Sequence, residues 1–350
     1  MKQFRVPVAL TLLVLGAVAL WTPSLLGVVV ILSILEVSFS FDNAVVNAKI
    51  LTRMSPQWQR IFLTVGVLIA VFGMRLVFPL IVVSLGGHLS PLRALDLGIN
   101  QPVQYQAILE AAHPAIIGFG GIFLLMIFLD WVLGEKDINW LRPIERPLER
   151  LGKLDQVSVV ISLIVLALVA QLAAADKRVS VLLAGAVGLA VYLLVNGVGS
   201  YFEEPDGDEG AVLATGKAGL ATFLYLEVLD ASFSFDGVVG AFAVTSDIFA
   251  IAIGLGIGAL YVRSLTVYLV HQGTLAEYVH LDHGAHWAIG VLAVISLLTV
   301  RYTISEYVTG LLGVGFIAVA VLTSVLRRRR GGADEELPPV SEPSTAGAVR

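Results

Sequence analysis

The chain has no cysteine. That excludes disulfides, thiolate metal ligands and thiol chemistry, and it leaves the redox compartment open. Charge is scarce as well: 14% of residues are Asp, Glu, Lys or Arg, against about 25% in an average soluble domain. Catalytic patterns are missing too. No nucleophile–base pair, phosphate loop or dinucleotide fingerprint is visible, so an enzyme is the least favoured class. Gly254, Gly256 and Gly258 lie inside an apolar run, where small residues let helices approach closely. The net charge of −5 comes from acidic loops and a tail, and gives no reason to expect a nucleic-acid partner.

What replaces the missing charge is apolar sequence. Hydrophobic residues make up 57% of the chain and the mean hydropathy is +0.88. The expected fold class is an all-α polytopic membrane protein in a lipid bilayer. Runs near the ~20-residue length of a bilayer span fall at about 6–21, 25–51, 61–85, 114–134, 157–175, 179–199, 217–245, 247–270, 286–300 and 306–326. That gives roughly nine to ten transmembrane helices. The first run follows Lys2 and Arg5 and ends near Ala17-Val18-Ala19, so it also resembles a cleavable signal peptide. At the head of a polytopic chain, a retained signal-anchor is the preferred reading.

Lys and Arg concentrate in alternate loops. Lys49, Arg60, Lys136, Arg142, Lys217 and the run Arg327 to Arg330 fall on one side; Arg93, Lys177, Arg178 and Arg301 fall on the other. The positive-inside rule then puts both termini in the cytoplasm of a cell inner or plasma membrane. The organisation expected is a signal-anchor over 1–24, a first membrane repeat over 25–134 with an outer cap at 88–113, a connecting loop and two linker helices over 135–216, a second repeat over 217–326, and a disordered cytoplasmic tail over 327–350. The loop Glu135 to Gln156 reads as a solvated connector containing a short interfacial helix. The acidic stretch Glu203 to Glu209 reads as a solvated loop.

One string occurs twice. Glu36 leads into Ser38-Phe39-Ser40-Phe41-Asp42-Asn43, and Asp230 leads into Ser232-Phe233-Ser234-Phe235-Asp236-Gly237, with Glu227 just upstream. Aligning the shared five residues puts Glu36 over Asp230 and Asp42 over Asp236. Each acid costs roughly 2.5–3.5 kcal/mol at a helix centre on insertion scales. Five helix steps separate the copies, so the count predicts two inverted-topology repeats with a site near the midplane. The span after each motif carries one arginine, Arg75 and Arg263.

The charge arithmetic points to a cation. Glu36, Asp42, Glu227, Asp230 and Asp236 against Arg75 and Arg263 leave three negative charges uncompensated. One divalent cation and one proton would neutralise them. Glu36 and Asp42 point about 240° apart on an ideal helix, whereas Glu36, Ser40 and Asn43 share a face, as do Glu227, Asp230, Ser234 and Gly237. Backbone unwinding at each motif would turn Asp42 and Asp236 inward as well. Carboxylate, amide, hydroxyl and carbonyl oxygens select hard ions: Mn²⁺, Ca²⁺ or Mg²⁺. The opposing reading is that the arginines pair the acids and lock helices together. Two further features stand apart. His280, Asp282, His283 and His286 offer ligands for a transition metal or caps for helix ends. Asp130 is an interfacial residue or lines an entry path.

These motifs resemble the TerC family of integral membrane proteins, and more closely its DUF475-type branch. Gly120-Gly121-Ile122-Phe123-Leu124-Leu125 and the two arginines also look like the family pattern, over roughly residues 25–326. The family is related to LysE-type exporters. The resemblance implies manganese export, supply of manganese to exported enzymes and, historically, tellurium resistance. It places Glu36, Asp42, Asn43, Asp230 and Asp236 at a manganese site, with no organic cofactor. Many members carry Ser where this chain has Gly237, which removes one hydroxyl from the ligand set.

The function expected is divalent-cation efflux, foremost of Mn²⁺, by alternating access. Glu227 is the candidate proton carrier, and Arg75 and Arg263 hold the empty site; Ser40, Ser234 and Asp130 complete the candidate set. The alternatives are a membrane assembly or metallation factor without transport, and an exporter of a small organic solute. A homo-oligomer is compatible with all three.

Overall fold

A computed structural model describes residues 4–52, 54–136, 138–202, 215–242, 244–271 and 278–331, without the side chains of 39, 41, 42, 198–202, 235, 236, 239, 271, 306, 307 and 329–331. The acidic loop after residue 202 and the tail beyond 331 lie outside the described residues.

The helices are α1 (Arg5–Trp21), α2 (Leu26–Phe39) and α3 (Phe41–Thr52), α4 (Pro56–Gly86), α5 (Pro91–Asn100), α6 (Pro102–Leu133), α7 (Arg142–Leu151), α8 (Val157–Leu172), α9 (Arg178–Phe202), α10 (Gly216–Ala241), α11 (Ile248–His271), α12 (Leu281–Thr299) and α13 (Glu306–Gly331). Among the described residues there is no β-strand, and the protein is an all-α, multi-pass membrane protein. Lipid has no water to satisfy stray backbone groups, so helices are the economical solution for these apolar runs.

Every expected apolar run forms a helix, and fewer than nine of these helices pass as full spans by length and composition among the described residues. Among the described residues, six helices are long and apolar enough to cross a membrane alone, and seven if the bent pair α2–α3 counts as one. The reasons are local. α1 and α8 are shorter apolar helices, of 17 and 16 residues. α10 has the length, but its sequence carries Lys217, Glu227, Asp230 and Asp236.

The stretch expected as an outer cap is mostly helical continuation. α5 covers Pro91–Asn100, and Pro102 then opens α6, which runs 32 residues to Leu133. α6 is the most deeply packed span, surrounded by α9, α10 and α12. Glycine permits this: a Cβ on Gly118 would lie 2.9 Å from the Val181 carbonyl, and one on Gly188 would collide with the Phe119 backbone. At the other end of the chain, α13 extends through the arginine run to Gly331, so the tail begins no earlier than residue 332.

The connector between the halves is more structured than a solvated loop. α7 carries charge on most of its surface, yet Glu145 is 0% exposed. Its carboxylate accepts the Trp287 indole N–H at 3.0 Å, the Trp140 backbone N–H at 2.8 Å and a contact from His283 Nδ1 at 3.1 Å. Burial alone would raise the Glu145 pKa, but the hydrogen bonds from Trp287 and His283 outweigh it and hold the carboxyl below the ordinary glutamate value.

Candidate functional site

The first motif sits at a kink. α2 ends at Phe39 and α3 starts at Phe41, with Ser40 between them at φ −98°, ψ 18°, and the two halves of the span are bent by 55°. Two hydrogen bonds flank the kink: Ser40 N–H donates to the Glu36 carbonyl at 3.0 Å and Ala44 N–H to the Ser40 carbonyl at 3.1 Å. In the second copy the helix is unbroken from Gly216 to Ala241. The expected unwinding is therefore a single-residue kink in one copy and absent from the other.

The two motifs cross in opposite senses. Asn43 donates to an Asp230 carboxylate oxygen at 2.7 Å, and a Cβ on Gly237 would lie 3.2 Å from the other end of the crossing, at Glu36 Oε2. As numbers rise along α2–α3 they fall along α10, so the segments run antiparallel where they touch.

Each arginine holds acids of its own half. Arg75 pairs with Glu36, and both side chains are buried; it also donates to the Ala70 carbonyl at 3.0 Å. Arg263 reaches Glu227 and Asp230, each at 3.3 Å, and the Gly66 carbonyl at 3.3 Å. Its guanidinium lies 3.8 Å from the ring centroid of the buried Phe62. Glycines then seat the acids across the halves. A Cβ on Gly66 would come 2.6 Å from Glu227 Oε1, and one on Gly258 would collide with the Glu36 side chain. Thus the helix after the first motif cradles an acid of the second, and the helix after the second cradles an acid of the first.

A feature that composition does not reveal lies beneath Arg75. α4 is π-wound over Phe62–Gly66 and again over Ile69–Val77. Phe62, Gly66 and Arg75 all belong to these wide turns. Such segments recur at functional sites because they redirect side chains at the cost of poorer packing.

The cluster retains unsatisfied polar atoms. Among the described residues, Asn47 Oδ1, Ser234 Oγ, Arg75 Nε and Arg263 Nη1 are buried without a hydrogen-bond partner. Each such group costs about 1–3 kcal/mol. A cavity of about 330 Å³ reaches the cluster from one side and is lined there by Glu36, Ser40, Asn43 and Gly237. The oxygen-rich donor set suits a hard cation, with no sulfur or imidazole ligand among the motif residues.

The candidate residues thus divide. Glu36 and Arg75 form one pair; Asn43, Asp230, Glu227 and Arg263 form a second, linked group. Ser40 lines the cavity and Ser234 is buried on α10. Asp42 lies in the first turn of α3 and Asp236 near the end of α10, with side chains outside the described residues. Asp130 accepts a hydrogen bond from Tyr192 at 2.7 Å on another part of α6 and does not line the cavity.

The histidines are engaged elsewhere. His283 meets Glu145, His286 Nδ1 lies 2.9 Å from Asp282, and His280 Nδ1 lies 3.2 Å from the Thr323 hydroxyl. Among the described residues, no group of three or more His, Asp or Glu side chains is arranged to hold a metal. Of the two readings of this cluster, the structure shows the polar one: these side chains join a network between α3, α7, α12 and α13, with Lys49 paired to Asp282.

Neither a curated protein nor a solved structure matches the chain. A family model does, over residues 41–331, which takes in Asp42, Asn43, both arginines and the whole second motif. The chain belongs to the family described as a protein of unknown function, DUF475.

Proposed function

We propose that this protein carries a divalent cation across the membrane, with Mn²⁺ the favoured ion, and that the crossing of the two acidic motifs is the transport site. One observation carries the reading. The buried crossing collects Glu36, Glu227 and Asp230 with only Arg75 and Arg263 as described counter-cations, while the sequence adds Asp42 and Asp236 to the same helices. That excess of negative charge in low dielectric is stable only if protons or a cation join it. The cavity at Glu36, Ser40 and Asn43 supports access from water.

In this reading Glu36, Asp42, Asn43, Asp230 and Asp236 bind the ion, and Glu227 exchanges a proton. Arg75 and Arg263 serve as tethered cations that hold the carboxylates together between transport events. Alternating exposure of the site to the two sides would follow from inverted repeats, and outward transport is what the resemblance to exporters implies. The antiparallel crossing and the reciprocal glycine seats support that symmetry. The resemblance of the paired motifs to TerC-type membrane proteins favours manganese over Ca²⁺ or Mg²⁺.

A second reading has an observation of its own. Every acid of the cluster whose side chain is described is ion-paired, as it would be in a helix lock without transport. Cellular manganese content, measured by mass spectrometry in a manganese-sensitive host, separates the two. Wild type should lower it, and Asp42→Asn and Asp236→Asn at matched membrane levels should not. Equal manganese in all three would favour the lock.

A further inference from the structure

The cavity does not end at the acidic cluster; it continues along α12 to the end of the bundle. Its lining passes from Glu36, Ser40 and Asn43 to Ser296 and Thr299, then to Thr303 in the turn after α12. Tyr302 and Thr303 are exposed, whereas Ser296 is buried. The route therefore has an open mouth, a hydroxyl-bearing wall and a carboxylate at its floor. At roughly 30 Å³ per water, about 330 Å³ accommodates a cation with several of its waters.

The opposite end of α12 is built differently. Asp282 pairs with Lys49 of α3 and with His286, and His283 and Trp287 hold the fully buried Glu145 of α7. Trp131 stacks on His286 with centroids 4.5 Å apart. Between this network and the cluster, Ala44, Val45, Val46 and Ala48 of α3 are buried together with Asn47, forming a largely apolar plug below Asn43. Asp282 and Thr299 lie about 25 Å apart along the helix at 1.5 Å per residue.

We infer that, among the described residues, the structure captures a state open to one side only. The cavity between α12, the start of α13 and the end of α10 is the water-filled route to the acidic cluster. The α3 plug and the Lys49–Asp282–His286 contacts with the Glu145 hub close the other side. The identity of the traveller rests on the cation reading proposed above; the one-sidedness of the route does not. On the charge distribution of the loops, the mouth at residues 299–304 faces away from the cytoplasm. α12 carries the mouth at one end and the latch at the other, so a tilt of this single helix would exchange which side is open.

The absence of cysteine makes the test clean. Single variants Thr303→Cys, Ser296→Cys and Ser40→Cys follow the route inward; Ala48→Cys and Ala285→Cys report on the closed end. A membrane-impermeant cationic thiol reagent is added to right-side-out or inside-out vesicles of the full-length protein. Thr303→Cys and Ser296→Cys should react at least tenfold faster from the non-cytoplasmic face, and the two closed-end thiols should react from neither. Tyr302→Cys and Thr309→Cys repeat the test if a first variant is poorly produced. A reactive Thr303→Cys beside a silent Ser296→Cys, equal reaction from both faces, or rapid labelling of Ala48→Cys would overturn the inference. Slowing of Ser40→Cys by saturating Mn²⁺ supports the cation reading. The expected one-sided pattern without that slowing leaves the route standing and removes the ion.

Discussion

Replacing Arg263 by Gln is the most informative single perturbation of the cluster. The guanidinium meets Glu227 and Asp230 at 3.3 Å each, donates to the Gly66 carbonyl and lies 3.8 Å over Phe62. Removing one partner of a buried ion pair costs about 3–5 kcal/mol, because the other charge is left uncompensated. Here two carboxylates lose the same partner, so Arg263→Gln should fall at the upper end of that range in metal-free detergent solution. Two controls separate charge from packing. The double variant Arg263→Gln, Glu227→Gln removes one orphaned charge and should recover part of the loss. Mn²⁺ at about 100 times its dissociation constant should restore about 2.7 kcal/mol through linkage, and a monovalent salt should not. The assay is denaturant unfolding followed by Trp fluorescence. An unchanged midpoint for Arg263→Gln, or a double variant no better than the single, would refute the electrostatic reasoning.

Other outcomes follow from the same contacts. Gly258→Val drives side-chain carbon into Glu36 and should cost more than the ~1–3 kcal/mol of ordinary overpacking, visible as a lowered unfolding midpoint. Asn43→Ala removes the 2.7 Å bond to Asp230 and should lower stability by about 1–3 kcal/mol, read by the same unfolding curve. Glu145 has a lowered folded pKa, so its contribution is present above the unfolded value and is lost as pH falls through the folded one. Stability of wild type should therefore drop on acidification below the ordinary glutamate range, and Glu145→Gln should show a smaller drop from a lower starting point.

Much of the architecture was legible because the bilayer constrains it. Each apolar run became a helix, and Gly254, Gly256 and Gly258 do pack helices: Gly254 abuts Leu32 and Gly258 abuts Glu36. Of the residues in the duplicated motif, Asn43 and Asp230 meet directly, and Glu36 lies opposite Gly237. Three things escaped. The π-wound turns beneath Phe62 and Arg75 have no signature in composition or period. The kink at Ser40 could not be distinguished from full unwinding, because the same Ser-Phe-Ser-Phe-Asp string bends in α2–α3 and stays straight in α10. The burial of Glu145 depends on His283 and Trp287, more than a hundred residues away, and α7 by itself reads as a charged surface helix.

Manganese flux in liposomes containing only the purified protein tests the central claim most directly. Wild type should move Mn²⁺ down a gradient with saturation, and Asp230→Asn, which keeps the side-chain size beside Asn43, should slow it by at least a hundredfold while remaining folded. Equal flux in the two, or none above protein-free liposomes in wild type, would contradict cation transport through the crossing of the acidic motifs.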